Sequence, residues 1–544
     1  MSSPAPSWIG EPPVAKGPVM NDSDAAGAFE APPLHQSLPL ALLAARDQFG
    51  GSREILEDQD RTALPYDRLI LGAMVLGRKI CVGTSERENI GILLPNVNGV
   101  AVTLFGLLFR GRVPVMLNFS AGLRNLKSAC ETAQIRTIIT ARKFIENAKL
   151  DDVVAALGEG RRIVWLDDIR ADIGTMDKLR GVIDARIMAR SMATRMTGDD
   201  PAVILFTSGS EGKPKGVVLT HRNILSNVRQ IAAVGRNFLS DRDIVMNPLP
   251  VFHSYGLTAG LMLGLLCGMK VVLYPSPLHY REVPRLIGKT KATILFGTDT
   301  FLVGYARAAE KEDLSSVRYV ITGAERVKEE TRRLWEPFGT TILEGYGCTE
   351  CAPVLACNTP EMMKNGTVGR LLPGINWRLE PVEGIAEGGK LMVQGPNVMA
   401  GYMLADRPGI IQPPDQGWHD TGDIVTMDDD GCILIKGRAK RFAKLGGEMV
   451  SLAAIETMAA DLWPGVNHVA VSLPDPRKGE QIVLVTEQGN ADRSVLMAYA
   501  KAQGFPELWV PRAILVLEQI PVLGSGKIDY AATQEEASSK RALL

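Results

Sequence analysis

The sequence predicts an α/β protein: a large N-terminal domain of packed α/β sheets with a β-rich subdomain, then a small C-terminal α+β domain. Three observations predict it. From about Leu38 to Lys436, short β-branched runs alternate with amphipathic stretches. Around Leu371 to Ile435 the runs become short strands broken by Gly, Pro and Asp. After Gly437 a basic stretch leads into a smaller pattern of its own.

The chain begins with Met1 to Gln36, rich in Pro, Ala and Ser, with no basic-then-apolar signal pattern. This composition predicts a disordered leader over residues 1–37. Strands are expected at Ala202–Phe206, Lys270–Leu273, Ala292–Phe296, Tyr319–Ile321 and Thr341–Leu343, with a helix over Glu325–Trp335. Such alternation calls for substantially parallel sheet. Tyr255–Met269 is apolar, but it contains glycines and falls short of the roughly 20 residues a membrane span needs. It reads as a buried helix beside a pocket. Gly389–Val393 and Cys432–Ile435 are strands of the β-rich subdomain; His468–Leu473 and Gln481–Thr486 belong to the C-terminal domain. The expected boundaries are 38–440 for the N-terminal domain, 441–535 for the C-terminal one and 536–544 for a tail. There is no internal repeat.

A chain of 544 residues is too long for one core. Lys plus Arg (60) almost cancels Asp plus Glu (61), which argues against a general nucleic-acid binder. Seven cysteines over this length do not make a disulfide framework. A reducing, cytoplasmic setting fits, and peripheral contact with the inner membrane stays open.

The strongest chemical signal is Leu205-Phe-Thr-Ser-Gly-Ser-Glu-Gly-Lys-Pro-Lys-Gly216. A strand enters a loop whose backbone N–H groups, hydroxyls and two lysines can wrap a polyphosphate. Pro214 stands where a Walker A loop needs Ser or Thr. The candidates in this loop are Thr207, Ser208, Gly209, Ser210, Glu211, Gly212, Lys213 and Lys215. Two further features carry competing readings. Cys348-Thr-Glu-Cys351 has the spacing of a zinc or redox pair, without a second pair at metal-finger spacing. His253, in Pro250-Val-Phe-His-Ser-Tyr-Gly256, could be a general base or a satisfied core histidine.

The loop resembles the phosphate loop of the adenylate-forming superfamily of acyl-CoA synthetases, luciferases and peptide-synthetase adenylation domains. The resemblance continues in order along the chain. Leu343-Glu-Gly-Tyr-Gly-Cys-Thr-Glu350 is similar to the family's second core motif. It implies nucleotide contacts for Glu344, Gly345, Tyr346 and Gly347, with Tyr346 stacked on adenine. Thr349 would meet the α-phosphate and Glu350 would hold Mg²⁺. Gly323-Ala-Glu325 resembles the segment lining adenine, so Gly323, Ala324 and Glu325 join the ATP site. Trp418-His-Asp-Thr-Gly-Asp423 resembles the ribose motif, with Asp423 on the hydroxyls, and Arg438 is similar to an arginine reaching the same nucleotide. Pro521-Val-Leu-Gly-Ser-Gly-Lys-Ile528 resembles the mobile C-terminal loop whose lysine, here Lys527, serves adenylation. The resemblance makes His253 a flat gate between the ATP and carboxylate pockets.

The implied chemistry is activation of a carboxylate as acyl-AMP with ATP and Mg²⁺, then transfer to a thiol. Attack by one anion on another needs positioning and charge neutralisation, which these residue types supply. Amino-acid-activating members carry an aspartate where Phe252-His253-Ser254 stands, so a plain fatty acid is the expected substrate. Several segments, among them Tyr274-Pro-Ser-Pro-Leu-His-Tyr-Arg281 and Gly437-Arg-Ala-Lys-Arg-Phe-Ala-Lys444, are similar to the acyl-[acyl-carrier-protein] synthetase half of bacterial bifunctional 2-acylglycerophosphoethanolamine acyltransferases. That similarity implies acyl carrier protein as the acceptor, with CoA as the alternative. Lys436, Arg438, Lys440, Arg441 and Lys444 place five positive charges in nine residues, read either as a dock for an acidic carrier or as a basic hinge. A binding protein without turnover is the reading from another class; Lys527 and Glu350 argue against it.

Overall fold

The computed structural model describes residues 31–33, 36–207, 214–383, 385, 387–445, 448–475, 479–503, 505–522 and 528–540. Two large sheets dominate. In the first, strands Glu54–Glu57, Lys270–Leu273, Ile244–Asn247, Ile294–Gly297, Tyr319–Thr322 and Thr341–Gly347 run parallel in that spatial order. In the second, Arg162–Trp165, Thr137–Thr140, Asn89–Ile92, Val113–Met116 and Pro201–Thr207 are parallel. This sheet then turns antiparallel through Lys215–Thr220, Gly401–Leu404 and Arg407–Gln412. The parallel strands are buried hydrophobic runs, as strands covered on both faces must be.

Helices join the two sheets through one continuous core. Asn98–Phe109 is apolar all round and almost wholly buried, as a helix packed on every side should be. It meets Tyr66–Ile80 so closely that a Cβ on Gly77 would lie 2.5 Å from the Gly106 carbonyl oxygen. The apolar stretch after His253 is a wide π-helical segment, Tyr255–Met262, followed by an α-helical turn, Leu263–Cys267. Gly260 is required there, because a Cβ would stand 2.4 Å from the Asn247 side chain. No helix among the described residues is long and apolar enough to cross a membrane.

The β-rich subdomain is a four-stranded antiparallel sheet of Asn376–Glu380, Gly389–Gln394, His419–Met427 and Ile433–Arg438. Gly401–Leu404 and Arg407–Gln412, which the sequence groups with it, extend the second large sheet instead. After the single turn Ala439–Arg441 the chain forms a two-stranded sheet, Phe442–Leu445 with Glu448–Ser451, and a three-stranded sheet, His468–Asp475, Gly479–Thr486 and Ala513–Val516. The buried clusters of this part draw only on residues 443 to 537. The α/β class and its β-rich and α+β parts thus stand as the sequence predicts.

Candidate functional site

Strand Thr341–Gly347 delivers the central motif to one end of the first sheet. At Gly347 a Cβ would sit 2.0 Å from the Pro353 carbonyl oxygen, so only glycine lets the chain double back here. A single 3₁₀ turn, Thr349–Cys351, follows. Within it Thr349 Oγ1 accepts a hydrogen bond from Ser254 Oγ at 3.2 Å. Glu350 Oε1 accepts from the Tyr402 hydroxyl at 2.7 Å, and the Glu350 carbonyl accepts from Met399 N at 2.8 Å. The Lys215 ammonium lies 5.3 Å from the centre of the same Tyr402 ring. Thr207 and Lys215 are opposite each other in the antiparallel ladder, so the two ends of the phosphate-loop candidate are fixed side by side. Ser208, Gly209, Ser210, Glu211, Gly212 and Lys213 lie outside the described residues, as does Lys527.

A second set of contacts centres on Asp423. The Tyr346 hydroxyl donates to its Oδ2 at 2.6 Å, and Arg438 Nε lies 2.9 Å from its Oδ1. Asp423 and Arg438 are register partners on neighbouring strands, so the sheet itself sets this pair. Burial pushes the Asp423 carboxyl above the usual carboxylate range, against the pull of Arg438 and the Tyr346 hydrogen bond. A Cβ on Gly323 would come within 3.3 Å of the Gly345 carbonyl oxygen, which places the 323–325 segment beside the Tyr346 strand. Ala324 adopts φ +67, a left-handed conformation rare for a residue with a side chain. His253 is half-buried, its ring 4.8 Å from that of Phe252, which in turn meets Phe119 at 5.0 Å.

Two acids of the predicted set are spent on the fold. The Glu344 side chain is buried, pairs with Arg332 and accepts from Val327 N at 3.2 Å. The Glu325 carboxylate accepts from Thr300 N at 3.0 Å and from its hydroxyl at 2.9 Å. The basic stretch is partly paired within the chain. Arg438 is held by Asp423, and Arg441 by Glu456 and the Ala470 carbonyl, so two of its five charges are neutralised within the chain. The side chains of Lys440 and Lys444 are outside the described set.

Sequence reasoning missed Ser254, Tyr255 and Tyr402. Tyr402 approaches Glu350 from another sheet, and nothing in its local sequence sets it apart from a packing tyrosine. Tyr255 donates from its hydroxyl to the Ile321 carbonyl at 2.7 Å, bracing the strand that leads into Gly323. An open cavity of about 930 Å³ beside Tyr280 and Arg307 shares with these contacts only Thr300, the partner of Glu325.

The Thr349–Glu350 turn carries oxygen donors of the kind a hard cation takes. The Glu350 carboxylate beside the Thr349 hydroxyl offers hard oxygen ligands, and Mg²⁺ needs only one or two carboxylates because it keeps waters and phosphate oxygens. The residues fit. A different group, Cys348, Cys351 and His419, has its ligand atoms within 4.8 Å of one another. Three donors do not close a structural zinc site, which takes four. A hydrogen bond with Cys351, with burial, holds the Cys348 thiol well above its ordinary range.

Residues 73–403, more than half of the chain, match the family model described as AMP-binding enzyme. A feruloyl-CoA synthase of Amycolatopsis sp is 30% identical over 484 residues, covering 86% of this chain and 92% of the relative. The long-chain-fatty-acid–CoA ligase of Bacillus subtilis (strain 168) is 27% identical over 482 residues, covering 82% and 85%. Among solved structures, ATP-bound MatB from Rhodopseudomonas palustris superposes with TM-score 0.76 at 22% identity, covering 92% of this chain and 99% of that one. The anthranilate CoA ligase AuaEII with anthranoyl-AMP gives 0.76 at 20%, covering 94% and 99%. With that family model matching more than half of its length and a 30% identical relative covering 86% of it, the chain belongs to the AMP-binding enzyme family.

Proposed function

We propose that this enzyme uses ATP to activate a fatty acid as acyl-AMP and passes the acyl group to a phosphopantetheine thiol. One observation carries the reading: segments near residues 207–215, 254, 323, 346–350, 402, 423 and 438, far apart in sequence, are linked by direct contacts. No single structural need explains that convergence of a lysine, hydroxyls, a carboxylate and an Asp–Arg pair.

In the first step a carboxylate oxygen of the acid attacks the α-phosphorus of ATP and pyrophosphate leaves. Thr207, Lys215 and the intervening loop hold the phosphates, and Thr349 orients the α-phosphate. Glu350, with Thr349 beside it, would hold Mg²⁺, which supplies charge neutralisation between the reacting anions. Tyr402 fixes the Glu350 rotamer, so the carboxylate is set before substrate arrives. Asp423 accepts from the ribose hydroxyls with Arg438 beside it, and Tyr346 lies against the base. Lys527, on the 441–535 unit, adds a cation for this step only. In the second step the thiolate sulfur attacks the acyl carbon and AMP leaves.

The acid reading is supported by the long-chain-fatty-acid–CoA ligase among the relatives, and by the absence of an acid at Phe252-His253-Ser254. For the thiol, the relatives' names favour CoA. Acyl carrier protein is the second reading, carried by the resemblance of Gly437–Lys444 to the carrier-protein ligases. The test offers fatty acid, ATP and Mg²⁺ with CoA or with holo-acyl carrier protein and measures each thioester. Acyl-AMP formation by wild type and its loss in Lys527→Ala, with thioester formation from supplied acyl-AMP retained, is the expected outcome. No acyl-AMP from any fatty acid would overturn the reading.

A further inference from the structure

The helical segment 175–193 packs on Tyr66–Ile80 and the end of Asn98–Phe109 with one face. A Cβ on Gly181 would lie 2.2 Å from the Val75 side chain, so the two helices touch closely. Asp184 is buried between Arg110 at 2.6 Å and Arg78 at 3.4 Å, and Asp177 meets Lys79 at 3.0 Å. Both acids of the segment thus face inward and are paired.

The opposite face is unlike an ordinary solvated one. Met176 is 59% exposed, Leu179 55%, Ile183 45% and Ile187 70%. Residues spaced three and four apart share a helix face, so these four form one stripe about 17 Å long. A π-helical turn, Asp184–Met188, interrupts the helix. Across this turn Asp184 is buried while Ile183 and Ile187 stay exposed. Lys178, Arg180, Arg186 and Arg190 are exposed around the stripe. Of these only Arg190 is in an ion pair among the described residues, with Asp47. The face is therefore apolar along its centre and cationic at its flanks, with no outward acid on the segment.

The geometry points to this helix as the element that lies on an anionic lipid surface, its stripe among the acyl chains and its cations among the headgroups. An amphipathic helix with Lys and Arg around an exposed apolar face has the chemistry to lie in the plane of a bilayer. A second copy of the chain is disfavoured, because two such faces would oppose like charges. The inference goes beyond the proposed reaction and does not depend on it.

The test is sedimentation of the full chain with vesicles, without ATP or acid. Vesicles of phosphatidylglycerol and phosphatidylethanolamine are compared with phosphatidylcholine alone. Wild type should bind the anionic vesicles at least about tenfold more tightly and lose that preference in 0.5 M salt, as each basic side chain near the surface contributes roughly fivefold. Ile183→Asp/Ile187→Asp should lower binding at least about tenfold, and so should Arg180→Glu/Arg186→Glu, which changes only exposed charges and leaves the fold intact. Equal partition of wild type between the two vesicle types overturns the inference, as does undiminished binding by the charge-reversed variant. So does a dimer, seen by light scattering, that the Ile183→Asp/Ile187→Asp change dissolves without any vesicle binding. None of these outcomes bears on acyl-AMP formation, which is measured separately.

Discussion

Asp423 is a buried carboxylate that holds two neighbours in place, Tyr346 and Arg438. Asp423→Asn keeps the shape and removes the charge. It should raise the KM for ATP by roughly 10- to 100-fold, the equivalent of about 1.5–3 kcal/mol for a charged acceptor, and leave the KM for the acid unchanged. A rise in the acid's KM instead would show that the residue is mapped to the wrong substrate. Glu350→Gln should slow Mg²⁺-dependent adenylation at least about tenfold across a magnesium titration, because an amide lacks a carboxylate's attraction for a hard cation. Tyr402→Phe leaves the carboxylate and removes only its brace, so a smaller loss, about threefold to tenfold, is expected in the same assay. Equal losses in the two variants would mean that Tyr402 does more than orient Glu350. Asp423 and Glu350 were legible in the sequence because each sits in an ordered string with its neighbours. Tyr402 and Ser254 were not, because a hydroxyl's role is fixed by a partner 52 or 95 residues away.

The helix His221–Gly235 opens with a reciprocal cap between Thr220 and Asn223. Its first residue, His221, is fully buried and accepts at Nδ1 from Leu38 N at 3.1 Å, tying the start of the Leu38–Phe49 helix to this one. Burial pushes the imidazole down to about 4, below its ordinary value near 6.5. A depressed folded value means the neutral ring stabilises the fold above about pH 6.5, and this is lost as pH falls towards 4. Chemical denaturation should therefore show about 2 kcal/mol less stability at pH 5 than at pH 7.5 from this group, and His221→Asn should flatten that slope. An unchanged slope would exclude His221 as its source. Elements of this kind were legible where hydrophobic runs stand alone: Lys270–Leu273 is a strand over just the residues expected. The helix expected at Glu325 begins only at Glu329. The preceding residues are drawn into a loop by the left-handed Ala324, the Glu325–Thr300 bonds and the hydrogen bond from Lys328 N to Asp299. These are tertiary contacts that local periodicity cannot report. The strand expected from Ala292 starts two residues late because the Ala292 N–H still closes the helix before it, on the Ile287 carbonyl.

Across the whole molecule, the joint between the N-terminal sheets and the C-terminal unit is where the sequence shows charges without their partners. Arg441 lies 4.0 Å from the centre of the Tyr530 ring, pairs with Glu456 and donates to the Ala470 carbonyl at 2.9 Å. These contacts tie it into the C-terminal unit. Arg441→Ala leaves the half-buried Glu456 without its counter-charge and with only the Ala470 N–H as partner, and should destabilise that unit by about 1–3 kcal/mol, read as earlier urea unfolding of the 441–535 segment. Thioester formation with CoA and with carrier protein should fall together, whereas a docking charge would affect the carrier alone. Arg441→Lys should recover only part of the loss, since an ammonium cannot reproduce the planar stack and fork.

The register pairing of Asp423 with Arg438 has a mechanical consequence. Arg438 is the last residue of its strand, and the Ala439–Arg441 turn that leads to the C-terminal unit starts immediately after it. Any change in how Asp423 is engaged therefore bears on the residue that precedes the turn. On the proposed reading of Asp423 as the ribose acceptor, one ion pair joins the sugar site to the start of that turn. Amide hydrogen exchange at 436–441 should slow when AMP is added. In Arg438→Ala the same amides should exchange at one rate with or without nucleotide, as though the clutch between cargo and lever had been disengaged.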